Sequence, residues 1–246
     1  QRAPSLLNGT ELFADKRNFR HFMLKEIYEQ PEIAQLWIDR YLPLDLPLDN
    51  SVALPLTKSS IEKIERIQIL ACGTSRHAAM VGAYLLEQFA GVPTNVFFAS
   101  EFRYSPPPVS PNTLTIGVSQ SGETADTLAA LRMEKERRNS IEDPNFSFHQ
   151  LGITNRLDSS LAREMDNVID IGSGIEIGVA ATKTFLGQML SFYGLTILFA
   201  SHKQNRSSKE IQDLTDDLRL VPKQLLDLIK QHDALSKEIA HLFVET

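Results

Sequence analysis

Ser119, Ser121 and Thr124 place three hydroxyls within six residues, in the run Ser119-Gln120-Ser121-Gly122-Glu123-Thr124. A second donor group, Thr74 and Ser75, closes the run Ala71-Cys72-Gly73-Thr74-Ser75. Each run follows an apolar stretch that reads as a buried strand (67–70 and 113–118) and leads into a stretch that reads as a helix. A strand that ends in small hydroxyl residues and opens a helix is suited to hold an anion. The helix start offers unpaired N–H groups and the positive end of the dipole, and the hydroxyls add donors. Gly73 and Gly122 let the backbone turn and come close to a ligand. A phosphate dianion needs several convergent donors of this kind. Ser, Thr and Gly are also favoured as ordinary caps and turns, and one such loop alone would read that way. Two of them at consecutive strand ends point to a ligand held between them.

A third segment, Glu176-Ile177-Gly178-Val179-Ala180-Ala181-Thr182-Lys183, also opens a helix. Its backbone N–H groups could reach a sugar ring or a phosphate. It reads equally well as helix-start chemistry with Lys183 in solvent. Glu123 could act as a base, but an acid in a first helical turn is favoured by the dipole, so its role reads as structural. Cys72 reads as a small buried residue rather than a nucleophile, with His77 nearby in sequence giving only a faint hint of pairing. The six His residues show no metal-ligand spacing, so no metal and no cofactor are expected. Neither a P-loop nor a Gly-x-Gly-x-x-Gly pattern is present, which counts against a nucleotide.

The elements that would position these groups follow from the apolar pattern. Strands are predicted over 67–72, 94–99, 113–118, 148–153 and 167–171. Helices fall between them at about 75–90 and 122–138. In the first, Ala78, Gly82, Leu85 and Phe89 share a face whose small residues would allow close approach to the sheet. In the second, Ala125, Leu128 and Ala129 point inward, leaving Arg132, Lys135 and Arg138 to solvent. The alternation predicts an α/β fold, a five-stranded parallel sheet with helices on both faces. Residues 18–42 read as two helices meeting near Gln30, because Pro31 suits a first helical turn. A short helix over 59–67 runs into the first strand, and a buried apolar helix covers 179–201. Two amphipathic helices close the chain, one marked by Ile211, Leu214, Leu218 and Val221, the other by Leu235, Ile239 and Leu242. Residues 1–17 read as a linker, and 43–58, with Pro43, Pro47 and Pro55, as a loop. The expected division is a helical or irregular lead-in at 1–58, a ligand-binding α/β domain at 59–203 and C-terminal helices at 204–246.

Composition sets outer limits. The 246 residues are 42% hydrophobic and 23% charged, as in ordinary globular proteins. A formal charge of −6 argues against nucleic acid or an anionic membrane as a main partner. The apolar stretches look too short to cross a bilayer. One cysteine excludes an internal disulfide and fits a reducing compartment; with no basic stretch leading into an apolar one at the start, a cytoplasmic location is expected. The chain opens on Gln1 and stops at Phe243-Val244-Glu245-Thr246 without a closing turn, so it is expected to be part of a longer protein.

Ala71–Ser75, the run Ser-Gln-Ser-Gly-Glu-Thr-Ala-Asp-Thr-Leu at 119–128 and Glu-Ile-Gly-Val-Ala-x-Thr-Lys at 176–183 resemble the sugar isomerase (SIS) fold. They are similar, more narrowly, to the first SIS module of the glutamine–fructose-6-phosphate aminotransferase family. Met23–Pro31 and Ala99–Tyr104 extend the likeness to roughly 20–200. The resemblance implies a flavodoxin-like three-layer sandwich with helical N- and C-terminal extensions. It implies a phosphate of fructose 6-phosphate bound by Ser75, Ser119, Gln120, Ser121 and Thr124, with Cys72, Gly73, Thr74 and Val179 lining the sugar. Arg76 stands where the family usually has an aromatic or other residue, and Ala181 where it has Ser. That family makes glucosamine 6-phosphate with ammonia from glutamine, using a glutaminase domain and a second SIS module as partners in the same chain. Its Schiff-base lysine and acid/base groups lie in that second module, so no catalytic residue is assigned here and Lys183 does not inherit the role. SIS modules commonly form homodimers. A stand-alone SIS isomerase and a non-catalytic sugar-phosphate sensor are the rival readings.

Overall fold

A computed structural model describes residues 15–44, 52–146 and 149–244. Residues 1–14 of the predicted linker and 45–51 of the predicted loop lie outside these residues. Five strands, β1 (Arg66–Ala71), β2 (Thr94–Phe98), β3 (Thr113–Ser119), β4 (His149–Thr154) and β5 (Asn167–Asp170), form one sheet. The order is β2-β1-β3-β4-β5, with every pair parallel. β3 is buried along its whole length, as expected of an apolar run covered on both faces.

One face carries α1 (Phe22–Tyr41), α2 (Lys58–Lys63), α3 (Gly73–Ala90), α7 (Lys183–His202) and α8 (Ser208–His241). Their apolar residues share one core with Ile67, Ile69, Ile116, Ile153 and Ile169 of the sheet. The other face carries α4 (Ala99–Phe102), α5 (Ala125–Asn139) and α6 (Ser160–Glu164) over a smaller core with Leu70, Phe102, Leu128 and Leu161. The predicted three-layer fold is therefore present.

Several expectations need correction. The lead-in is one helix rather than two, with Pro31 inside it. Proline removes the donor that would bond the Ile27 carbonyl. The Gln30 side-chain amide donates to that carbonyl instead, at 3.3 Å, so the helix continues past the proline. The two C-terminal helices are likewise a single 34-residue helix with Pro222 within it. Its stripe Ile211, Leu214, Leu218, Val221 and Leu225 packs on the main core through the proline, and farther along Tyr28 of α1 donates to Asp233 at 2.6 Å. α7 is a 20-residue helix long and apolar enough to cross a membrane by length and composition, against the sequence reading; 78% of its apolar window is buried inside the fold.

The small residues of α3 serve a different contact from the one expected. Ala78, Ala79, Gly82, Ala83, Leu86 and Ala90 form the buried face, and the ring of Phe192 on α7 lies over Gly82. On α5 the inward face is Thr127, Leu128, Ala130, Leu131, Glu134 and Arg138. Ala125 is exposed and Ala129 half-buried. Arg138, expected in solvent, is 2% exposed. Its Nε donates to Glu134 at 2.9 Å and its Nη1 to the Ser110 carbonyl at 3.0 Å. Burial pulls the guanidinium below its ordinary value, and Glu134 opposes that.

Candidate sugar-phosphate site

The strand order turns back at β1 and β3, since β2 lies on one side of β1 and β3 on the other. In such a sheet ligands bind at the carboxyl ends of the strands flanking the switch. Ala71 and Val118 are register partners. Cys72–Ser75 and Ser119–Thr124 therefore leave the sheet side by side and start α3 and α5. The sheet brings together two loops that are far apart in sequence.

The local geometry decides between a cap and an open donor set. Thr124 occupies the N-cap position of α5, yet its hydroxyl caps no helix N–H. It lies 2.8 Å from Ser119 Oγ, which also accepts from the Gly122 N–H at 3.0 Å. Ser121 Oγ accepts from the Glu123 N–H at 3.2 Å. Cys72 occupies the N-cap of α3, again with no side-chain cap. Ser75 Oγ accepts from Gln188 of α7 at 2.9 Å. The hydroxyls of Ser119, Ser121 and Thr124 are thus tied within their own loop and that of Ser75 to α7, and neither N-cap side chain caps its helix. The starts of two long helices stand at adjacent strand ends, where their dipoles favour negative charge. The Thr124 hydroxyl is drawn instead to the buried Ser119.

Gly122 makes this turn possible. Its φ is +67°, and a Cβ there would stand 2.0 Å from Ser159 Oγ. Ser159 cannot move aside freely, because it caps α6 through the Ala162 N–H and donates to the Arg156 carbonyl at 2.7 Å. Glu123 accepts from the Ser160 N–H at 2.7 Å, a bond that holds its carboxyl below the usual value. This supports a structural role.

The third segment departs from the open anion site that its sequence allowed. Glu176 folds back on the start of α7, accepting from the N–H groups of Thr182 (2.9 Å) and Thr184 (3.2 Å) and from the Thr184 hydroxyl. Glu26 of α1 accepts from the N–H groups of Ile177 (2.6 Å) and Gly178 (3.1 Å). The chain's own carboxylates occupy these donors. Lys183 is also not solvated: it is 4% exposed and donates to Glu29 at 2.8 Å. Val179 itself is fully exposed, at the tip between the two anchored stretches. A 3.4 Å bond from Gln120 to Glu176 joins the segment to the β3 loop.

Sequence reasoning missed Glu26, Glu29 and Gln188, and named Glu176 without the folded-back bonds it makes. Glu26 had a signal, because it lies on the same α1 stripe as Ile33 and Trp37, where a charged residue must be buried and partnered. Burial raises the Glu29 carboxyl, but the bonds and charges of Lys183 and Lys25 outweigh this and leave it below the ordinary 4.5. A carboxyl depressed on folding stabilises the fold above its unfolded value, and that stability is lost as pH falls through the folded value. Urea unfolding followed down through the carboxylate range is expected to show this loss, and Glu29→Gln to make the profile flatter there.

Comparison with known proteins agrees with this geometry. The SIS domain model matches residues 60–198. The isomerizing glutamine–fructose-6-phosphate aminotransferases of a Synechocystis species and of Thermosynechococcus vestitus are 47% and 46% identical over 100% of this chain. The chain spans about 40% of the length of each. The solved C-terminal domain of glucosamine-fructose-6-phosphate aminotransferase from Francisella tularensis superposes with a TM-score of 0.79 and 36% identity, covering 93% of this chain and 60% of that one. With the family model matched over the greater part of the chain, and the paired loops at the switch point of a parallel sheet, this chain belongs to the SIS domain family.

Proposed function

We propose that this chain is the phosphate-gripping isomerase module of a glutamine–fructose-6-phosphate aminotransferase, and that its ligand is fructose 6-phosphate. The observation that carries the reading is the pair of uncapped helix starts on adjacent strands, lined by Ser75, Ser119, Gln120, Ser121 and Thr124. Cys72, Gly73, Thr74 and the Val179 tip would face the sugar. The likeness to aminotransferases of two and a half times the length supports further domains in the same protein, a glutaminase domain and a second SIS module. The proposed division at 59–203 places both loops in one domain.

The reaction needs a base to move a proton between neighbouring carbons and a site for the incoming amine. This module binds and orients the phosphate, and the second module supplies those groups. A homodimer is part of the proposal, supported by exposed apolar residues such as Leu226, Leu235 and Ile239 on α8. A cytoplasmic location is also part of it, supported by the single cysteine.

Calorimetric titration tests the reading. Fructose 6-phosphate is expected to bind the chain, and Ser121→Ala to weaken binding about tenfold, the worth of one hydrogen bond to a charged group. Unchanged affinity in the variant, with its circular dichroism also unchanged, would remove the second loop from the site. Incubation of the chain with fructose 6-phosphate and ammonia is expected to yield no glucosamine 6-phosphate.

A further inference from the structure

The segment 175–182 is exposed at its tip and fixed at its base by two carboxylates, one from α1 and one of its own. Glu176 holds the side toward α7. Glu26, 1% exposed, holds the middle from α1 through the Ile177 and Gly178 N–H groups. Gln120, a residue of the β3 loop, donates to Glu176, and Gln188, one turn into α7 from Lys183, donates to Ser75 of the β1 loop. A hydrogen-bonded path therefore runs from α1 through the segment to the β3 loop, and a separate bond from α7, the helix the segment opens, reaches the β1 loop. Glu26 is the terminal anchor of that path, and it touches neither loop.

Resting on the sugar-phosphate reading above, we propose that Glu26 is a positioning residue for the sugar. It fixes the backbone of Ile177 and Gly178 so that the Val179–Ala181 tip stands against the sugar ring while the two Ser/Thr loops hold the phosphate. A buried carboxylate with two backbone donors can play this part because its bonds are charge-assisted and directional. Free rotation of the tip would otherwise have to be frozen when the sugar binds.

The test separates the sugar from the phosphate. In Glu26→Gln the amide keeps the shape but weakens the clamp. Affinity for fructose 6-phosphate is expected to fall about tenfold, the worth of hydrogen bonds to a charged group. Affinity for inorganic phosphate is expected to stay unchanged, and amide exchange at Ile177 and Gly178 to speed up. Gly178→Ala approaches the same bond from the other side, since its Cβ would meet Glu26 Oε2 at 2.5 Å. It is expected to give the same split, and it serves if Glu26→Gln folds poorly. A variant that loses both ligands in proportion, or neither, overturns the positioning role and leaves the phosphate site standing. Wild-type chain that binds neither ligand overturns the sugar-phosphate reading itself, and with it this role.

Discussion

Glu134→Ala is expected to lower unfolding free energy by about 3–5 kcal/mol, the usual cost of stranding the partner of a buried ion pair. Glu134 and Arg138 have side chains 1% exposed. Glu134 also accepts from Gln68 of β1 at 2.8 Å and from Arg137 at 2.7 Å. Arg137 and Arg138 in turn donate to the carbonyls of Pro107 and Ser110, so this one carboxylate ties β1, α5 and the proline-rich loop together. With it gone, the Arg138 charge has no counter-charge in a dry layer. For a chain of this size the loss corresponds to a midpoint drop of about 10 °C. Urea and thermal unfolding measure it. Replacing both partners, Glu134→Leu with Arg138→Met, is expected to recover much of the loss, because an apolar pair carries no desolvation cost. A single-variant loss below about 1 kcal/mol would place the pair among ordinary surface bridges.

Gly122→Ala is the second large effect, and it falls on binding. The left-handed backbone at this residue costs an L side chain roughly 1–2 kcal/mol by itself. The added methyl meets Ser159, which is held by the α6 cap and the Arg156 carbonyl. The turn must therefore shift, carrying the Ser119–Gly122 bond and the start of α5 with it. A displacement near 1 Å at a site of convergent donors costs about a hundredfold, and that is the expected loss in fructose 6-phosphate affinity. Ser159→Ala in the same chain removes the atom that the methyl meets and is expected to restore part of the binding. Titration of the single and double variants checks both statements, and a Gly122→Ala variant that binds as tightly as wild type refutes the role given to the turn.

Sequence alone determined the fold class, the five strands and the two donor loops. Short apolar runs ending in Ser, Thr and Gly carry that information locally, in burial period and turn chemistry. Helix continuity was less legible. Pro31 reads in sequence as the first turn of a second helix, but the Gln30 amide repairs α1 there, and the packing of the α8 stripe carries that helix through Pro222. Arg138 looked solvated because a charge at the end of an amphipathic helix usually is; its partner is one turn away, but its burial depends on the loop folding over it.

The tertiary structure alone decided which donors remain open. In sequence, the loop at 176–183 read equally well as a ligand contact and as an ordinary helix start. In the fold its N–H groups are taken by Glu26, from a helix some 150 residues earlier in the chain, and by Glu176 from within. The helix starts after β1 and β3 go without a side-chain cap because Thr124 turns to Ser119 and Cys72 offers none. A hydrogen-bond donor is a property of the residue. Whether it is spent inside the protein or left for a ligand depends on what the rest of the chain brings within 3 Å of it, and no local pattern contains that.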